Sequence, residues 1–66
     1  MSADVRHQKI DDGTYCVHDV QSGRWLGDVW HDRAAREWYA YTHTDGRCVG
    51  TARTRREATD LILAAT

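Results

Sequence analysis

The sequence has no phenylalanine and no asparagine, and eight arginines stand against a single lysine, Lys9. GC-rich coding produces this bias, as in GC-rich bacteria or their phages and mobile elements, so clustered arginine is weak evidence for a nucleic-acid ligand here. No apolar run approaches the ~20 residues of a membrane span. The opening MSADVRHQKI is too polar for the apolar stretch of a signal peptide, and the expected location is cytoplasmic. Cysteine is scarce as well. Without an export signal, Cys16 and Cys48 read as small buried or half-buried residues rather than a disulfide scaffold. The formal net charge of -1 gives no global field to steer the chain toward DNA.

Chemical motifs are also missing. Cys16-Val17-His18 is a lone pair, with no CxxC or HxxxH segment beside it, so no metal or other cofactor is expected. Asp11-Asp12 before Gly13 reads as a turn in which carboxylates accept local backbone hydrogen bonds. There is no nucleophile motif, and a chain of 66 residues has little room for a pocket that excludes water and positions several groups. The expectation is a small non-catalytic protein.

Sixty-six residues allow one domain, spanning 1–66, and such a chain buries only about 60% of the surface its unfolded form exposes. Its order comes from a short repeat. Ser22-Gly23-Arg24-Trp25-Leu26-Gly27-Asp28-Val29 overlays Asp45-Gly46-Arg47-Cys48-Val49-Gly50-Thr51-Ala52 at an offset of 23 residues. Ser-Gly or Asp-Gly between two β-prone runs is a hairpin signal, because glycine supplies the positive φ of the turn. The repeat therefore predicts two similar β-hairpins, with strands at roughly 14–20, 24–31, 36–43 and 47–53 joined through residues 31–35. Residues 1–10 lack a clear period and read as a frayed tail or an extension of the first strand. Thr54-Arg55-Arg56-Glu57 matches a capping box, and Ala58, Leu61, Ile62 and Ala65 then follow at the spacing of one buried stripe. The predicted class is α+β: a four-stranded antiparallel sheet over 14–53 with one C-terminal helix, 55–65, packed on one face.

Alternation along strands assigns the faces. One parity combines Tyr15, Val17, Trp25, Val29, Trp38 and Cys48 with Gly27, Ala40, Gly50 and Ala52, a mixture that lets a helix approach closely. This is the expected core. The other parity holds Cys16, His18, Val20, Leu26, Trp30, Tyr39, Tyr41, His43, Val49 and Thr51, with Arg24, Arg47 and Arg53. Asp28 and Glu37 share that parity. With no second helix to cover it, this face is too aromatic for plain solvent surface and is the expected binding site. Nucleic acid is the first expectation, with Trp30, Tyr39 and Tyr41 stacking and Arg24, Arg47 and Arg53 meeting phosphates or base edges. A protein partner or a second copy of the chain is the alternative, since Tyr, Trp and Arg also carry interface energy. Arg55 and Arg56 lie against the macrodipole in the first helical turn, which points to an anion outside the helix.

The segment from Arg33 to Ala65, through Trp38-Tyr39-Ala40, Gly46-Arg47-Cys48-Val49-Gly50-Thr51-Ala52 and Thr54 with Glu57-Ala58, resembles AP2-type domains and the related arm-binding domains of phage integrases. The resemblance implies a three-stranded sheet with a C-terminal helix, and DNA binding through strand Arg and Trp side chains on the helix-free face. Its matched positions, Trp38, Ala40, Gly50, Thr54 and Ala58, belong to the scaffold. Ala52 stands where that pattern usually has a bulky aromatic.

Overall fold

The computed structural model describes residues 4–65. It is an antiparallel meander of five strands, β1 (Val5–Asp11), β2 (Thr14–Asp19), β3 (Trp25–Asp32), β4 (Glu37–Thr42) and β5 (Cys48–Ala52), followed by α1 (Arg55–Ala65) on one face. The α+β class, the antiparallel sheet and the single helix agree with the sequence. The strand count does not. Most of the segment 1–10 is a strand: β1 pairs with β2 from Val5 opposite Asp19 to Asp11 opposite Thr14. Residues 1–3 lie outside the described residues. The Asp12-Gly13 turn, with Gly13 at φ 82°, joins the two strands. Exposed positions fill most of β1, which hid its period.

The repeat governs local geometry closely. In each copy a six-residue hairpin loop closes with the same two backbone bonds: Gly23 N–H to Asp19 and Asp19 N–H to Arg24, then Gly46 N–H to Thr42 and Thr42 N–H to Arg47. Asp45 accepts from the Thr42 hydroxyl and the Arg47 N–H, which hold its carboxyl below its ordinary range. Each copy then carries a β-bulge. Val17 faces Gly27 while the next residue, His18, faces Trp25, so Leu26 is the extra residue. Twenty-three positions on, Ala40 faces Gly50 and Tyr41 faces Cys48, with Val49 extra.

These bulges correct the face assignment, because one inserted residue reverses the parity of everything beyond it. Leu26 and Val49 turn inward and pack against the core. Trp25 and Cys48, expected inside, are exposed. Arg24 and Arg47, expected on the open face, line a cleft with Ala65 at the end of α1.

Val17, Val29 and Ala40 from the sheet meet Ala58 and Ile62 from the helix, all with no solvent exposure. Ile62 sits over Gly27, where a Cβ would lie 3.1 Å from two of its carbons. The capping box forms with one difference. The Glu57 N–H donates to the Thr54 hydroxyl at 3.1 Å as expected, but that hydroxyl itself meets the Glu57 carboxylate at 3.0 Å. Leu61 is only half-buried and Ala65 is exposed, whereas Thr59 is buried.

The unexpected strand accounts for Thr59. Its hydroxyl donates to the Arg55 carbonyl at 2.9 Å, which leaves the His7 Nε2–H of β1 to donate to Thr59 at 2.8 Å. Burial first, and the Arg55 charge second, push the His7 imidazole below its usual 6.5. A base with a depressed folded pKa takes up a proton more readily when unfolded. Its contribution to stability is therefore complete above about pH 6.5 and declines as the pH falls toward the folded value. The urea midpoint is expected to drop across that window, and to drop less in His7→Gln; identical slopes for the two proteins would contradict this role.

Candidate functional site

The register sets the helix-free face out in rows across the sheet. One end carries Arg6 beside His18, then Trp25 and His43. Next come Gln8, Cys16, Asp28, Tyr41 and Cys48, each beside the last on adjoining strands. Thr14, Trp30, Tyr39 and Thr51 form the third row, and the paired Asp32 and Glu37 form the far end.

Trp25 is the best anchored side chain of the set. Its ring stacks on His43 at 4.2 Å and 10°, and His18 lies on it at 5.7 Å and 25°. Its indole N–H reaches both the Gly27 carbonyl and the Asp28 carboxylate at 3.0 Å. Even so, the residue is 37% exposed, so the stack fixes a large flat surface in contact with water. Trp30, 40% exposed, leans on Tyr39 with ring centres 5.4 Å apart. Rigid aromatic groups held in place before binding lose little conformational freedom on contact with a ligand.

The electrostatics of the face are acidic on balance. Asp28, Asp32 and Glu37 stand on it against Arg6. The Tyr39 phenol is raised above its ordinary range by desolvation first and then by the Asp32 and Glu37 carboxylates.

Of the residues expected at the site, Trp30, Tyr39 and Tyr41 come together on this face and the arginines do not join them. Arg24 and Arg47 are turned to the helix side by the bulges. Arg53 lies beside Thr51, Glu57 and Asp60 at the outer edge of β5. Arg55 has a local partner, its guanidinium 4.6 Å above the Tyr15 ring. Arg56 lines a groove between β1 and the helix with His7 and Thr59. Sequence reasoning missed Trp25, Arg6 and Gln8. The signal for Trp25 was the glycine inside each repeated strand, Gly27 and Gly50, because strand glycines often mark a bulge. Arg6 and Gln8 needed β1.

Cys16 is buried, with Sγ 3.1 Å from His18 Nε2 and 3.5 Å from the Gln8 carbonyl. Both cysteines are free thiols, and although the bulge brings Cys48 to the same face, two strands separate it from Cys16. Among the described residues no three His, Cys, Asp or Glu side chains converge on one point, and no helix is long and apolar enough to cross a membrane. The chain matches no protein-family model, and no curated protein or solved structure is significantly similar to it.

Proposed function

We propose that this chain is a small, non-catalytic binding module that engages a protein through its helix-free sheet face. The observation that carries this reading is the surface formed by exposed Trp25 and Trp30 with half-buried Tyr39 and Tyr41, which α1 does not cover. An aromatic patch of this kind, ringed by polar groups, is the usual mark of a protein contact. Charge favours a protein over nucleic acid. A phosphate backbone would meet Asp28, Asp32 and Glu37, while Arg24 and Arg47 lie behind the sheet. The clefts lined by Arg56 and by Arg53 flank the helix and none of the four rings lines either, which argues for a surface that presses on a partner rather than a pocket that encloses a substrate.

Two assays separate the ligands. The chain is expected to leave duplex and single-stranded DNA unshifted at low salt. Immobilised wild-type protein is expected to retain a protein that Trp30→Ala/Tyr39→Ala does not. A DNA shift lost with Arg53→Ala/Arg56→Ala and kept in the aromatic double variant would overturn the reading in favour of nucleic acid.

A further inference from the structure

The open face differs in character along its strands, with imidazole and guanidinium groups at one end and paired carboxylates at the other. At one end Arg6 and His18 lie beside Trp25, with His43 stacked on the other side of the indole. At the other, Asp32 and Glu37 oppose each other directly across β3 and β4. Like charges at directly opposed positions destabilise a sheet by themselves. Among the described residues, Arg33 with Asp12 is the one ion pair, so neither carboxylate of this end is ion-paired within the chain. Glu37 opens β4 and His43 follows its last residue, six positions on and about 20 Å away along the strand direction. The level midway between them is Ala40, with Tyr39 and Tyr41 on either side.

A two-fold axis across the strands at the Ala40 level exchanges these ends. We propose that the partner of this face is a second copy of the same chain, packed sheet to sheet about that axis. His43 of each copy then meets Glu37 of the other, and the His18 and Trp25 end meets Asp32. Between them, the row of Trp30 and Tyr39 packs on the row of Asp28 and Tyr41, so the aromatic surface closes on itself. The alternative two-fold axis, along the strands, would set Asp32 and Glu37 against their own copies and is disfavoured by repulsion. The proposal rests on the reading of the face as a protein contact and names its occupant. Five strands about 4.8 Å apart and about 20 Å long offer roughly 400–500 Å² of projected area per copy. That is below the ~800 Å² per partner of a standard interface, so the dimer is a weak one that forms at micromolar or higher concentration.

Sedimentation equilibrium of the full chain from about 10 μM to about 1 mM tests this. The wild type is expected to dimerise, and Glu37→Lys and His43→Glu are each expected to weaken the dimer about tenfold or more. Mixing those two variants is expected to restore it, because the introduced lysine and glutamate then face one another while the remaining His43 and Glu37 still pair. If His43→Glu fails to fold because the Trp25 stack is lost, Glu37→Gln and Glu37→Lys must still weaken the dimer in that order. A monomer at the highest concentration overturns the proposal, as does a dimer indifferent to Glu37. A monomer that still retains another protein through Trp30 and Tyr39 removes only the second copy; a monomer that retains nothing removes the reading of the face as well.

Discussion

Gly27→Ala is expected to leave the chain unfolded at room temperature. A Cβ there would fall far inside van der Waals contact with the Tyr41 carbonyl oxygen and 3.1 Å from two carbons of Ile62. The side-chain clash alone is overpacking, which costs about 1–3 kcal/mol. The carbonyl is the harder obstacle, because it belongs to the paired β3–β4 ladder and cannot withdraw without opening it. Together these approach the whole stability of a domain this small, on the order of 5 kcal/mol. Gly50, the equivalent residue of the second copy, is expected to be less severe. Its added Cβ meets only the end of Leu61, at 3.1 Å, although φ of 150° still strains any other residue there. Urea unfolding followed by tryptophan fluorescence checks both; a Gly27→Ala midpoint within error of wild type would contradict the packing described.

Trp30→Ala combined with Tyr39→Ala is expected to weaken partner binding by about 100-fold or more, since buried interface aromatics each contribute on the order of 2 kcal/mol. The fold should lose far less. Trp30 is 40% exposed, and what the two rings share within the chain is one tilted contact worth about 0.5–1.5 kcal/mol. Comparison of the binding isotherm with the thermal melt separates these costs. A variant that binds normally, or one that unfolds, would show that the two rings serve the sheet and not a ligand.

The hairpins and the helix were legible because their signals are local: Gly23 and Gly46 at φ 71° and 63°, and Thr54 with Glu57 at the first helical turn. β1 was not. Its residues alternate between half-buried and exposed only at Val5 to His7, and what holds it is pairing with β2 and the His7–Thr59 hydrogen bond, 52 positions away in sequence. The open face was legible in part. Trp30, Tyr39 and Tyr41 lie on the strand segments before the bulges reverse the count, and they fall where alternation puts them. Arg24, Trp25, Arg47 and Cys48 lie beyond the bulges and are reversed. The same repeat that revealed the hairpins placed the same irregularity in both, so the two copies agreed with each other in the wrong assignment. The consequence for function is direct, because the reversal removes two arginines from the face and adds a tryptophan. That change is what moves the proposal from nucleic acid, the first expectation, to the protein partner that was its alternative.

The most direct test labels the three tryptophans with 5-fluorotryptophan and follows their ¹⁹F resonances as protein concentration is raised. The Trp25 and Trp30 signals are expected to shift together with concentration, while Trp38, stacked on His31 on the helix side, stays fixed. Movement of Trp38 with Trp25 and Trp30 static would place the contact elsewhere and contradict the account.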